Sequence, residues 1–340
     1  MPDLARPDHA TLDALRDEPD PASGDEPQRR EGAVPPERHG ERLDRALVDL
    51  VPEYSRSHLQ TLVEAGLVQV DGRPVTTASR RVRAGQRVQV ELALPPSERP
   101  VQGAPMALDV VHEDEDIIVL DKPPGLVVHP APGHWTGTLL NGLIGRDPAC
   151  AALPRGGIVH RLDKDTSGLM VAARSVPAMV SLVRALARRE VQREYRAIAH
   201  GRLPDASTRV ELPIGRDPVS RVRMAVVPHG RPSRTDVTAI ARDGRYSLLQ
   251  CWLHTGRTHQ IRVHLAALGC PLVADTLYGG PAAFGLTRQA LHAARLALVH
   301  PRSGRRLEFE SPLPADLQAA WNQVLAGAGP AAAPGPGDRV

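Results

Sequence analysis

Asp163 stands two residues after Arg161 in the segment Gly157-Ile158-Val159-His160-Arg161-Leu162-Asp163-Lys164-Asp165-Thr166-Ser167-Gly168. Small and apolar residues lead into this polar cluster, and Gly168 opens a second apolar run, Leu169 to Ala173. These flanks predict a strand-turn-strand that pins Arg161 and Asp163 at the rim of a core. A carboxylate held beside a guanidinium stays ionised and can act as nucleophile or base. Taken alone, the same pair also serves as a structural salt bridge. No second carboxylate is placed for the acid role of paired glycosidase chemistry, and Asp165 suits capping of Thr166 or Ser167. The run from Asp163 to Ser167 has the outline of a phosphatase aspartate pair. However, Ser167 stands where threonine or valine belongs, and no acidic cluster for magnesium follows.

The elements that must position these residues fall into two bodies. In the first, residues 41–93, Leu43, Ala46, Leu47 and Leu50 recur at helical spacing. Ser55 caps a second helix whose Leu59, Leu62 and Val63 face inward. Leu67 to Val70 reads as a strand, Asp71-Gly72 as a hairpin turn, and Gln86 to Leu92 as a closing strand. A proline-rich linker spans 94–105. The second body, 106–326, begins with a hairpin whose strands, Asp109–His112 and Ile117–Leu120, flank an acidic turn. Pro177 starts a helix with Met179, Val180, Val183 and Leu186 on one face. Val191 to Ala199 returns as a strand carrying Tyr195, and Ser247 to Leu253 is a further strand. Thr258 caps a helix that runs through Leu268 and ends at Gly269. Strands and helices alternate without regular βαβ units, so the expectation is α+β, with a mixed, largely antiparallel sheet flanked by helices.

Composition narrows the class of partner. Residues 1–41 hold eleven acids and five arginines, a net of −6, so the remainder carries +9 of the total +3. A basic body suits a polyanion. Forty of the 42 basic residues are arginine, a bias that base composition alone produces, and the two lysines, Lys122 and Lys164, both fall within motifs. Residues 1–40, acidic and without aromatics, read as a disordered arm, and 327–340, rich in Gly, Ala and Pro, as a disordered tail. Three scattered cysteines suggest neither disulfides nor zinc. His254, His259 and His264 recur every five residues, which scatters them around a helix and opens no metal site. The apparent lack of a signal peptide or membrane span predicts a cytoplasmic protein.

Residue by residue the chain resembles the pseudouridine synthases of the ribosomal-large-subunit type over nearly all of 42–320. The segment from Asp121-Lys122-Pro123 to His129-Pro130 matches that family's first motif, and His160 to Gly168 its second. Thr255-Gly256-Arg257-Thr258-His259-Gln260-Ile261-Arg262-Val263-His264 matches the third. The resemblance makes Asp163 the catalytic aspartate, Tyr195 the active-site tyrosine and Arg262 the partner of Asp163. It gives Arg161 the space vacated by a flipped base. His160, Lys164, Thr166, Arg257, Thr258, His259, Lys122 and His129 follow as RNA-contacting positions. Arg42-Leu43-Asp44, Ser55-Arg56-Ser57 and Gly66 to Gly72 look like an S4 RNA-binding domain, with Arg45, Arg56, Arg80, Arg81 and Arg83 as its phosphate-facing surface. The implied activity is isomerisation of uridines in a stem-loop of 23S rRNA, free or in a pre-50S particle, by a monomer without metal or cofactor. Transfer RNA or another rRNA site is an alternative substrate, and a non-catalytic S4-type ribosome-associated factor is a different class of reading.

Overall fold

A computed structural model describes residues 28–92, 100–131, 134–220 and 222–328, which divide into two units at Pro100. The first unit contains β1 (Gln28–Ala33), α1 (Leu43–Leu50), α2 (Arg56–Glu64), β2 (Val68–Val70), β3 (Arg73–Val75) and β4 (Arg87–Leu92). Its sheet has the order β1-β4-β2-β3, antiparallel throughout. Ser55 caps α2 by accepting from the His58 N–H, and Leu59, Leu62 and Val63 are buried. Asp71 and Gly72 take positive φ, 53° and 74°, as a two-residue hairpin turn requires.

The expected disordered arm is corrected over its last part. Residues 28–33 are a strand paired in register with β4, while 1–27 lie outside the described residues. Composition misjudged this segment because it buries little side chain. Backbone pairing to the open edge of β4 holds it, together with ion pairs from Arg29 to Glu91 and from Arg87 to Glu31.

The second unit opens with β5 (Asp109–Glu113), β6 (Ile117–Lys122), α3 (Leu139–Arg146), β7 (Ser167–Ala173), α4 (Val176–Ala187) and β8 (Gln192–His200). It continues with β9 (Ser207–Val210), β10 (Ile214–Arg216), β11 (Met224–Val226), β12 (Thr235–Arg242) and β13 (Tyr246–Leu253). The remaining elements are α5 (Gln260–Ala267), β14 (Leu291–Val299), β15 (Arg306–Glu310) and α6 (Ala315–Gly327). The main sheet runs β5-β6-β7-β14-β8-β13-β12-β9, with β15 on β14. Only the β7–β14 pairing is parallel.

Central strands are buried on both faces, which is why they read as apolar runs rather than as alternations. Ile117 and Val119 of β6, with Leu169 and Val171 of β7, meet Ala178, Met179 and Leu182 of α4. Ile118, Leu120, Met170 and Ala172 turn to the opposite face, against Leu139 and Leu143 of α3, in a core shared with Tyr195 and with Ile261 and Leu265 of α5. Truncating one such leucine to alanine costs about 2–5 kcal/mol.

Three expectations shift here. α4 starts at Val176 under a Ser175 cap, which turns Ala178, Met179 and Leu182 inward and leaves Val180 and Val183 more than a third exposed. α5 starts at Gln260 rather than under a Thr258 cap, because His259 turns into the left-handed region (φ 55°). Part of the expected linker is fixed: Asn141 donates from Nδ2 to Gln102 O at 2.8 Å, and its carbonyl accepts from Ala104 N at 2.9 Å. α6 ends at Gly327, and 329–340 lie outside the described residues.

Candidate active site

The segment before β7 is a turn rather than the expected strand-turn-strand. Ile158 makes only an isolated bridge to Ala172, and the Thr166 N–H closes a turn on the Asp163 carbonyl at 3.1 Å. Gly168 ends the turn at φ 113°, where a Cβ would lie 2.3 Å from the Ala293 carbonyl oxygen. Only glycine lets β14 come this close.

Several residues expected at the RNA brace this turn, and two of them, His160 and Thr166, also line the cleft. Lys122 is buried, and its Nζ donates to the carbonyls of Pro123 (2.8 Å), Leu126 (3.0 Å) and Lys164 (2.9 Å). Burial pushes its pKa down to about 8. Thr166 is buried with its hydroxyl accepting from Gln289 Nε2 at 3.2 Å. His160 accepts the Val171 N–H at Nε2, 3.1 Å, and burial pushes it down to about 3, so it is neutral. Each of these three side chains makes a hydrogen bond that holds its own fold. Arg288 Nη1 holds the Asp165 carbonyl at 3.0 Å. The capping bond expected from the Asp165 carboxylate is not formed.

Above the turn, Asp163 faces Arg262. Arg262 Nη1 donates to Asp163 Oδ2 at 3.1 Å, while Nε and Nη2 form a fork on Asp275, both at 2.8 Å. The guanidinium also lies 5.0 Å over the Tyr278 ring. Burial opposes the charge of Arg262, but the bonds to Asp275 and the field of Asp163 outweigh it and raise the pKa. Asp163 therefore faces a permanent, oriented cation. His259 adds a second contact. The Tyr278 hydroxyl accepts the Met224 N–H (3.0 Å) and lies 2.8 Å from His259 Nδ1. On its other side His259 Nε2 lies 3.9 Å from Asp163 Oδ1. Burial lowers the pKa of His259, which favours the neutral ring.

Tyr195 lies beside this pair. It is buried, and burial pushes the phenol up to about 12, with Asp163 adding to the rise and Arg193 opposing it. The lowered phenol pKa that proton abstraction requires is absent from the free protein.

Asp163, Tyr195, His259 and Arg262 line one cleft of about 730 Å³. Arg155, Arg161, Arg189, Arg193, Arg257 and Arg262 border it, and Asp163 is its single carboxylate. Arg161 and Thr258 are exposed at the rim. Arg257 is half-buried, with Nε and Nη2 both 3.3 Å from the Pro232 carbonyl. Lys164 is exposed, its Nζ 3.5 Å from His134 Nε2. His129 brings a buried Nε2 with no partner among the described residues. Burial, then Arg161 and Arg155, push His129 down to about 4.

Sequence reasoning missed Asp275, Tyr278, Gln260 and Arg193. Gln260 fixes the Thr255–Arg257 loop by accepting from Thr255 Oγ1 (2.7 Å) and Arg257 N (3.1 Å). The three histidines have separate partners: His254 meets Asp236, His259 meets Tyr278, and His264 meets Thr235.

In the first unit, Arg45, Arg80, Arg81 and Arg83 are exposed, and Arg81 Nη1 donates to the Gly40 carbonyl at 2.6 Å. Arg56 is exposed as well, and it also pairs with an acid. With Arg42 and Gln60 it surrounds the fully buried Asp44, donating from Nη2 at 2.9 Å. Burial works to raise the pKa of Asp44, but these donors outweigh it and hold the carboxyl well below the usual range.

Comparison with known proteins places the chain that carries this cleft in a family. The profile described as RNA pseudouridylate synthase matches residues 116–267, and that of the S4 domain matches 41–88. The ribosomal large subunit pseudouridine synthase D of Neisseria meningitidis serogroup B is 47% identical over 88% of this chain and 83% of its own. An RNA pseudouridine synthase of Chloroflexus aurantiacus is 51% identical over 88% and 95%. The solved structure of human RNA Pseudouridylate Synthase Domain Containing 4 shares the fold, with TM-score 0.50, 22% identity, and 64% and 93% of the two chains covered. The chain belongs to the RNA pseudouridine synthases, with an S4 domain ahead of the catalytic domain. No helix among the described residues is long and apolar enough to cross a membrane.

Proposed function

We propose that the protein isomerises uridines in a stem-loop of large-subunit (23S) rRNA, free or within a pre-50S particle, acting as a cytoplasmic monomer. The observation that carries this reading is the single carboxylate, Asp163, ion-paired to Arg262 in a cleft otherwise bordered by arginines. The printed name of the Neisseria relative supports rRNA as the substrate.

A uridine inside folded RNA hides its glycosidic bond, so the nucleotide is extruded at a cost of a few kcal/mol. Arg161 is exposed and makes no ion pair among the described residues, so it is free to enter the gap left by the base and offset that cost. Asp163, ion-paired to Arg262 and oriented by it, attacks C1′ of the ribose or removes a proton from C2′; both routes start from the same carboxylate. The freed uracil turns and rejoins through C5, which gives up its hydrogen. Tyr195 stacks beneath the base, and it accepts the C5 proton only if bound RNA lowers its phenol pKa from about 12. Phosphates flanking the uridine lie along the arginines, and the exposed arginines of the S4 unit supply phosphate contacts of their own.

The test is tritium release from 23S rRNA labelled at uracil C5, with Asp163→Ala as control. Release by the wild type alone, at uridines that map to one stem-loop, is the expected result. Release from bulk transfer RNA instead would move the substrate. Release from neither, including assembled particles, would favour a binding factor.

A further inference from the structure

Arg193 differs from the other buried arginines. Among the described residues, Arg193, Arg262 and Arg288 are each at most 9% exposed. Arg262 forks onto Asp275 and Arg288 onto Asp316. Arg193 has no carboxylate. Its one hydrogen bond runs from Nη2 to the Leu253 carbonyl at 3.2 Å, and its buried Nε has no partner. A guanidinium carries five N–H donors and is never neutral in a protein, so a desolvated one without an anion is an unfinished ion pair. Burial indeed works against its charge.

The empty side of this guanidinium faces the cleft. Both Arg193 and Gly256 line it, and a Cβ on Gly256 would lie 3.0 Å from Arg193 Nη1. Gly256 has no positive φ, so its backbone does not demand glycine; the missing side chain leaves Nη1 uncovered. Arg193 and Tyr195 are two residues apart on β8 and so share a face of the sheet. Whatever anion Arg193 takes therefore lies next to the base held at Tyr195.

We propose that Arg193, uncovered by Gly256, seats one RNA phosphodiester flanking the extruded nucleotide. The proposal rests on the assignment of structured RNA as substrate. An RNA phosphate offers two acceptor oxygens to the guanidinium fork and completes the ion pair that the protein leaves open. Arg189 and Arg257, which also line the cleft, steer the strand toward this seat.

The experiment uses the full-length protein with Asp163→Ala to block turnover, and a 23S rRNA stem-loop transcript titrated across a range of KCl. Arg193→Met is expected to weaken binding roughly tenfold or more, as loss of a charged hydrogen bond does. The log–log salt slope should fall by about 0.7–0.9, one phosphate contact. Arg193→Lys restores part of both. Gly256→Ala, in an exposed loop, weakens binding without changing charge, and carries the test if Arg193→Met does not fold. Replacing one backbone phosphate near the target uridine by a neutral methylphosphonate should weaken wild-type binding and leave Arg193→Met binding unchanged. Unaltered affinity and slope in folded Arg193→Met overturn the phosphate seat alone. An unaltered slope with a shifted Tyr195 titration reassigns Arg193 to the phenol. Absence of RNA binding by the Asp163→Ala parent overturns the RNA assignment and this inference together.

Discussion

The two lysines of the chain meet at the turn that carries Asp163: the buried Lys122 ammonium donates to the backbone carbonyl of Lys164 at 2.9 Å. The same carbonyl accepts the Gly125 N–H at 2.9 Å. The loop after β6 is thereby tied to the residue next to Asp163. One cation satisfies the carbonyls of Pro123 and Leu126 and adds a second bond to that of Lys164.

Lys122→Met is expected to reduce turnover by about 10²-fold, the effect of an ångström-scale displacement of the reacting carboxylate. RNA affinity should change little. Single-turnover tritium release set against equilibrium binding separates the two, and an equal loss in both would place Lys122 at the RNA.

The same lysine gives stability a pH dependence. Its folded pKa, about 8, lies below the ordinary value near 10.4 for an unfolded chain. Between those values the unfolded state binds more protons, so stability rises with pH. The full change is on the order of 3 kcal/mol. Denaturant unfolding at about pH 7.5 and about pH 10 should show wild type gaining on Lys122→Met as pH rises. A constant difference would mean that Lys122 keeps its normal pKa when buried.

Asp275→Asn removes one prong of the Arg262 fork and the charge behind it. Asp275 is buried, so breaking this pair is expected to cost about 3–5 kcal/mol of stability. Turnover should fall while RNA affinity holds, because Arg262 still reaches Asp163 but is no longer oriented. Rates measured well below the melting transition distinguish this from unfolding.

The chemistry was legible in the sequence where it depends on local spacing. Asp163, Tyr195 and Arg262 converge on one cleft, although Asp163 and Arg262 are 99 residues apart. Direction of burial was not legible. Lys122, His160 and Thr166 sit in the right motifs and also hold the fold, through partners (Leu126, Val171, Gln289) that spacing alone does not point to. Asp275 escaped notice because a lone acid in an apolar stretch has no periodic signal until Arg262 is placed beside it. β1 escaped for a different reason, since pairing to a sheet edge needs backbone rather than apolar side chains.

The Tyr195 phenol, pushed up to about 12, is neutral in the free protein at physiological pH. Deprotonating it at pH 7 costs on the order of 7 kcal/mol. Ultraviolet difference titration of wild type against Tyr195→Phe should assign to Tyr195 an ionisation well above that of an exposed tyrosine. A step below pH 10 would make the phenol a base before RNA arrives and weaken the stacking role.

In the S4 unit, Arg81 and Arg56 are expected to behave oppositely despite similar positions in the motif. Arg81 is exposed and meets only the Gly40 carbonyl, so Arg81→Ala should reduce the salt slope of RNA binding by about 0.9 and leave the melting temperature unchanged. Arg56 neutralises the buried Asp44. Arg56→Ala leaves that carboxylate with Arg42 and Gln60 alone and should cost about 1–3 kcal/mol of stability. Acid should then unfold the variant at higher pH than the wild type. The depressed pKa of Asp44 contributes stability above its unfolded value that is lost as pH falls through the folded one. With Arg56 gone the folded pKa rises toward the unfolded value, so less stability remains to be lost. Parallel salt titrations and acid melts of the two variants decide between these roles. A slope change in Arg56→Ala without a stability change would return Arg56 to the phosphate-facing surface.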